Sequence, residues 1–461
     1  MQPSSRTPGR IFRSLTAPTN LDKTYRTHVQ GGTARGRDGV EPQALERDIS
    51  AVSVMVSRKM RGGTYRFTSY RQLLISKGAR HFPRIISIPT ARDRIVLKSM
   101  SLLIESVFPV SRGKVAQAKV AELQRALKSN RFDGFVRLDI ENFYPTISHE
   151  AVMGVLRQKI RKPEILALID DAIRTPTLAD RAPRSDASTA LGVPQGLPIS
   201  NLLAEIAMQE VDGRFGNDAG TYYLRYVDDI IILCNQNQAE KICNEVIAAC
   251  QSVSLTVHDP KLPGSKSRVG LVSESIDYLG YVFSPTKITV RSESVSNLKA
   301  SIARVFTRYK YQVAGDKGDA AGEMKARREC LWKLNLVITG CVFDGQRRGW
   351  IHYFSQIDDL SCLKGLDATV RNFARRFGLD DDFQPKSFTR AFWRINKNDT
   401  SSEPYIPDFD TYSPMQKRQL LAEVFDVKDA GRFSDEHADR VFYKEVKRLV
   451  DKLEQDVSGL S

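Results

Sequence analysis

The chain has 461 residues, 41% of them hydrophobic and 27% charged, and a net charge of +15. That is room for about three structural units of ordinary soluble composition, and it excludes a peptide hormone or mini-scaffold. No run approaches the ~18 apolar residues of a membrane span, and the basic start MQPSSRTPGRIFRSLTAPTN lacks the apolar stretch of a secretory signal. No membrane contact and a cytoplasmic location are therefore expected. Charge is uneven: residues 1–132 hold 25 Lys and Arg against 8 Asp and Glu, a net +17, and the remainder a net −2. A field so localised suits a polyanion, nucleic acid or nucleotide phosphate, although a solvated basic surface would have the same composition. Six cysteines (Cys234, Cys243, Cys250, Cys330, Cys341, Cys362) form no C-x-x-C pair, which argues against a disulfide framework or zinc ribbon and predicts buried, reduced thiols.

In chain order, GGTARGRDGV (31–40) reads as a glycine-rich loop and 41–60 as a helix. Arg84 to Ile88 is a short strand, Pro89 a turn, and Arg92 to about Phe108 a basic helix. Gly134 to Ile140 is a strand followed by a turn and a helix start, and the Pro-, Gly- and Ser-rich stretch 176–197 a loop running into the helix SNLLAEIAMQEVD. Two apolar runs, Tyr222–Tyr226 and Ile230–Cys234, flank Val227-Asp228-Asp229 and predict a hairpin with carboxylates at its tip. A helix (238–252), two strand-like pieces (SLTVHDPK and SIDYLGYVF) and an amphipathic basic helix (293–310) follow. After a link at 314–322 the rest reads as helical, ending in a stripe of Phe442, Val446, Leu449, Val450 and Leu453 that needs the core of the chain or another subunit as cover.

Asp139 closes an apolar strand, and Asp228 and Asp229 interrupt an apolar hairpin, where an unpaired charge costs several kcal/mol. Converging carboxylates without His or Cys suit a hard divalent ion, Mg²⁺ or Mn²⁺, and two such ions suit in-line displacement at phosphorus. An Asp-Asp pair alone is as well explained by a polar turn; YVDD between two apolar runs is far more specific.

LDIENFYPTI, GVPQGLPISNLLAE, YLRYVDDIIILC and DYLGYVF, in this order and spacing, resemble the palm motifs of bacterial reverse transcriptases. GRDGV and SKGARHFPRIISIPTARDRIVLKSM resemble the N-terminal and fingers elements of group II intron and related enzymes, so the resemblance spans about 30–375. It implies an α+β right-hand polymerase: N-terminal extension and basic fingers (1–132), palm with an antiparallel sheet and flanking helices (133–290, with a fingers insertion at about 150–190), helical thumb (291–380) and helical C-terminal extension (381–461). It makes Asp139 and Asp228 metal ligands, Asp229 the third carboxylate and the Ile140 carbonyl a further metal contact. Lys77 and Arg84 would grip the incoming triphosphate, unless they are plain surface cations. Phe143, Tyr144, Gln195 and Gly196 would face the nucleotide, with Tyr144 under the sugar where a ribose 2′-OH would clash, so that deoxynucleotides are selected. Lys261 matches the family lysine, though His258 replaces the usual Asn and Lys266 competes. Tyr278, Leu279, Gly280 and Tyr281 resemble the primer grip; the two tyrosines would serve equally as core aromatics.

No nuclease signature, Cys/His cluster or NAxxH element is found, which disfavours a complete group II intron protein and a retron enzyme. LNLVITGCVFDGQRRGWIHYFSQIDDLSCLKGLD resembles the post-palm region of the "unknown group" enzymes associated with phage defence. The resemblance thus implies RNA-directed DNA synthesis from dNTPs on a non-coding RNA template, with a DNA product and possible homo-oligomers through the thumb or extension. Template-independent or protein-primed synthesis, a retron or group II intron type of enzyme, and a non-catalytic RNA-binding scaffold stand as alternatives. The intact carboxylate trio speaks against the scaffold.

Overall fold

In the computed structural model, which describes residues 7–76, 82–108, 115–183, 189–216, 218, 220–315, 320–379, 382–397 and 405–455, the chain packs as two compact units. One comprises 1–114 and 132–271, the other 115–131 and 272–461, so the expected palm segment 133–290 contributes to both.

The described strands of the first unit are β1 (Tyr70–Ile75), β2 (Arg84–Ile88), β3 (Gly134–Asp139), β4 (Thr177–Leu178), β5 (Tyr222–Tyr226), β6 (Asp229–Cys234) and β7 (Arg268–Leu271). The four that matter most form an antiparallel sheet in the order β5-β6-β3-β7. Strand β6 reads Asp-Ile-Ile-Ile-Leu-Cys and is buried along its whole length, because β5 and β3 flank it and apolar layers cover both faces. Helix Gln236–Ser252 packs on β3 and β7, and one continuous core runs from Phe12 through Met100, Leu138, Ile169 and Ile232 to Val257. Each fully buried aliphatic side chain of this kind is worth about 1.5–3 kcal/mol.

The basic segment is a helical layer, Pro8–Leu15, Pro18–His28, Ile49–Arg61 and Ala91–Val107, beside the sheet β2-β1-β4. Asp93 fixes the last of these helices: buried completely, it accepts from the Tyr65 hydroxyl (2.6 Å) and the Thr68 N–H (3.1 Å). Gly36 must be glycine, since a Cβ there would lie 2.6 Å from the Thr90 backbone. The expected helix over 41–60 begins as a 3-10 turn, Pro42–Asp48, and becomes α-helical only from Ile49. The helix expected from Ser200 is broken at Met208 into Ser200–Ala207 and Gln209–Phe215.

SLTVHDPK is not a strand. The β7 ladder occupies the edge of β3 from Gly134 to Arg137, leaving only the end of β3 for a single bridge, Ile140 to Val257.

In the second unit, β8 (Ile276–Tyr278), β9 (Tyr281–Phe283) and β10 (Ile288–Val290) form a meander, and helices Ser292–Gly315 and Ala320–Thr339 pack together. Where only helix was expected, β11 (Cys341–Phe343) and β12 (Gln346–Arg348) form a hairpin. Its turn, Asp344-Gly345, has both residues at positive φ (56° and 67°), the conformation an Asp-Gly pair favours. The C-terminal stripe is covered from within this unit: Phe442, Val446, Val450 and Leu453 are buried against Leu336, Cys341, Phe343, Phe409 and Leu421. All six thiols are free, five buried and Cys362 half-buried. Among the described residues no helix is long and apolar enough to cross a membrane.

Candidate active site

The hairpin forms as its sequence demands. Tyr226 pairs with Asp229, so Val227 and Asp228 alone make the turn. Val227 takes φ 58°, a left-handed conformation that a β-branched side chain adopts only under strain. Arg225 holds it there. Buried to 8% exposure, its guanidinium uses all five N–H groups: Nε to Asp212 Oδ1 (2.8 Å), Nη1 to Glu205 Oε1 (3.2 Å) and the Val227 carbonyl (2.8 Å), Nη2 to Glu205 Oε2 and Asp212 Oδ2 (both 2.6 Å). The Tyr223 hydroxyl donates to Asp212 as well (2.7 Å). Two helices, Ser200–Ala207 and Gln209–Phe215, are thus clamped to the turn by one saturated cation.

The β3–β6 ladder puts Asp139 opposite Asp229, and the Ile140 N–H donates to the Asp228 carbonyl (3.1 Å), so the end of β3 and the hairpin tip are tied together. The three carboxylates differ sharply in partners. Asp229 is turned to Arg137, two residues back on β3, in a bidentate pair (Nε–Oδ1 and Nη2–Oδ2, both 3.1 Å). Asp139 accepts from Lys266 Nζ (3.2 Å) and lies 3.3 Å from His258 Nε2, whose Nδ1 faces Glu141 at 3.3 Å. No salt bridge among the described residues reaches Asp228; burial, then the charges of Asp139 and Asp229, push its carboxyl up to about 6.

Among the described residues no group of three or more His, Cys, Asp or Glu side chains is set to hold a metal ion, and Asp229 is engaged by Arg137. What remains is a pair of carboxylates, Asp139 and Asp228, close enough to repel. Hard oxygen donors in that state fit a divalent ion that completes its shell with water and substrate phosphates.

Tyr144 stands beside this pair. Its hydroxyl donates to Asn201 Oδ1 (2.8 Å) and is pushed up to about 12 by burial and the charges of Asp228 and Glu205, with Arg84 acting the other way. Arg84 and Tyr144 therefore share one electrostatic neighbourhood with Asp228. Phe143 is buried at 2% exposure, edge-on to Tyr144 at 5.5 Å, and supports that ring from the core. Gln195 accepts the Ser87 N–H through its carbonyl (2.7 Å), and Gly196 (φ 100°) lies so near β2 that a Cβ would come 2.8 Å from Ile86. The close approach that Gly196 permits is to strand β2.

Lys77 lies outside the described residues. Lys261 is exposed, and its backbone N–H donates to Asp259 Oδ1 (2.9 Å); Lys266 is the lysine that reaches Asp139. Tyr278, Leu279 and Tyr281 are fully buried in the second unit, and Leu279 and Gly280 form the tight β8–β9 turn with φ 50° and 78°. The Tyr353 hydroxyl donates to the Leu279 carbonyl (3.2 Å), and the Tyr281 hydroxyl to the Tyr353 carbonyl. Arg137 and Arg225 escaped the sequence reading although each carried a signal, a cation inside an otherwise apolar strand that burial obliges to find carboxylates.

A family model described as reverse transcriptase (RNA-dependent DNA polymerase) matches residues 75–283. Protein YkfC of Escherichia coli (strain K12) is 21% identical over 362 residues, 67% of this chain and 93% of that protein. The group II intron-encoded protein LtrA of Lactococcus lactis subsp. cremoris is 27% identical over 218 residues, 44% of this chain; the match spans about a third (34%) of LtrA. Among solved structures, Candida albicans telomerase in complex with a fragment of telomeric RNA aligns over 91% of this chain and 66% of its own, at 13% identity and a TM-score of 0.38. The matched segment contains β2, β3, the carboxylate hairpin and the loop around Asp139. Residues 75–283 are a reverse-transcriptase domain, and the chain that carries it is an enzyme of the nucleotidyltransferase class.

Proposed function

We propose that this protein extends a primer 3′-OH with dNTPs on an RNA template, using Asp139 and Asp228 to hold divalent ions, Mg²⁺ or Mn²⁺. The observation that carries the site assignment is the contrast among the carboxylates: Asp229 is paired with Arg137, whereas Asp228 is half-buried beside Asp139 with its pKa raised. When bound, the ions supply the charge that activates the 3′-oxygen and stabilises the pyrophosphate leaving group. Lys266 and His258 hold the Asp139 carboxylate in orientation. Arg84 offers a fork of donors to the triphosphate, and the Tyr144 ring, braced by Phe143 and Asn201, fills the space a 2′-OH would need. Arg225 fixes the turn on which Asp228 rides.

The likeness of 334–367 to defence-associated enzymes supports a role in antiphage defence in the cytoplasm, with a non-coding RNA as template and DNA as product. The test has two arms. Primer extension by Asp228→Asn should fall at least ~10³-fold, and sequencing of RNA and DNA that co-purify should return one RNA species with complementary DNA. Extension at the wild-type rate by the variant would refute the assignment, and DNA unrelated to any bound RNA would favour template-independent synthesis.

A further inference from the structure

One helix of the second unit sorts its residues by kind. On Phe388–Asn396, Phe388, Ala391, Phe392 and Ile395 are buried at helical spacing, so Arg390, Trp393, Arg394 and Lys397 share the opposite stripe. Trp393 is 46% exposed, whereas Trp350 is 2% exposed and Trp332 packs on Phe409 and Phe425. The Lys397 ammonium lies 5.8 Å from the centre of the Trp393 indole. At the start of the same helix Tyr405 carries the Arg390 guanidinium 4.9 Å and the Lys386 ammonium 5.0 Å from its ring centre, and its hydroxyl accepts the Ser387 N–H at 2.7 Å. The carboxylate packed against this end, Asp367, is buried and already accepts from the Ser387 and Thr389 hydroxyls and the Phe388 and Thr389 N–H groups. The stripe itself contains no acid.

We propose that this stripe is a stacking platform for single-stranded RNA, a base lying on the Trp393 indole and neighbouring phosphates on Arg390 and Lys397. Cations interleaved with an exposed ring are what a flexible strand recognises: phosphate takes the charge and any unpaired base the ring face. A duplex hides its base faces and gains only the charge. A protein partner would have to bury three cations around one apolar residue, which is a poor interface core. The identity of the strand as RNA rests on the polymerase reading; the platform does not depend on the carboxylates.

Tryptophan emission of the full-length protein, titrated with a 12-nucleotide oligoadenylate at low salt, tests the proposal. Saturable quenching is expected, and Trp393→Phe should abolish the quenching while keeping affinity, read by anisotropy of a labelled oligomer, within about threefold. Trp393→Ala should weaken binding about tenfold, and annealing the oligomer to its complement should remove most of the quenching. Asp228→Asn should lose extension yet quench as the wild type does, so the two readings fail separately. Quenching that survives Trp393→Phe, equal quenching by the duplex, or wild-type affinity in Trp393→Ala would each overturn the platform. So would a change of mass in light scattering on Trp393→Ala with RNA affinity intact, which marks a protein contact.

Discussion

At the scale of residues, the chemistry of the site lies in which carboxylate no salt bridge among the described residues reaches. Burial and two neighbouring carboxylates raise Asp228 from 3.8 to about 6, so the native state binds its proton more tightly than the unfolded chain does. Stability therefore falls as pH rises from about 4 to about 6 and stays lowered above that. The loss is of the order of 2 kcal/mol once solvent screening of a half-buried group is allowed for. Asp228→Asn should remove it: in urea unfolding the variant should exceed the wild type at pH 8 and match it near pH 4. Added Mg²⁺ should stabilise the wild type at pH 8 more than the variant, since the ion's partner has been neutralised. Tyr144 makes a different prediction. Its ring is braced by Phe143 and Asn201, so its effect on the sugar is steric, and Tyr144→Ala should raise the ratio of rNTP to dNTP incorporation about tenfold or more on one template. An unchanged ratio in an active variant would reduce Tyr144 to a packing residue.

At the scale of elements, the β5–β6 hairpin stores strain at Val227 and is held by Arg225. Arg225→Met leaves Glu205 without its cation and Asp212 with only the Tyr223 hydroxyl beneath the turn, and breaking such a part-buried pair costs up to about 3 kcal/mol. Chemical denaturation should show that loss, and extension should fall even under conditions where the variant remains folded, because the turn carrying Asp228 loses the bond to the Val227 carbonyl. The last helix, Asp435–Gln455, poses the opposite case. Val446 is completely buried among Leu336, Phe343 and Phe442, so Val446→Asp should destabilise the second unit without first dissociating an oligomer. Light scattering at fixed concentration should show no loss of mass before the unfolding transition.

At the scale of the whole molecule, the basic excess of residues 1–132 is spread over helices with different duties. Arg61 is bonded to Thr16 and the Arg13 carbonyl and holds two helices together, whereas Arg58 and Lys59 on the same helix are exposed. Arg58→Gln with Lys59→Gln should flatten the slope of log RNA affinity against log salt by up to about two units and leave thermal stability unchanged. An unchanged slope would put the RNA on other cations. What the sequence determined by itself is the local and periodic part: the apolar strands around Asp139, the YVDD hairpin, the basic helix Ala91–Val107 and the amphipathic stripes. In each, the pattern of burial follows directly from residue spacing. The Asp-Gly turn of β11–β12 was equally local, yet the segment was expected to be helix. Tertiary structure alone decided the pairings between distant segments. Lys266, not Lys261, reaches Asp139 because the loop after Val257 is anchored by one bridge and then by β7; Asp229 faces Arg137 because register sets them on one face; and Arg225 finds carboxylates from two helices. Such partners are chosen by where the packed core carries each backbone, and the order of residues along the chain does not encode that distance.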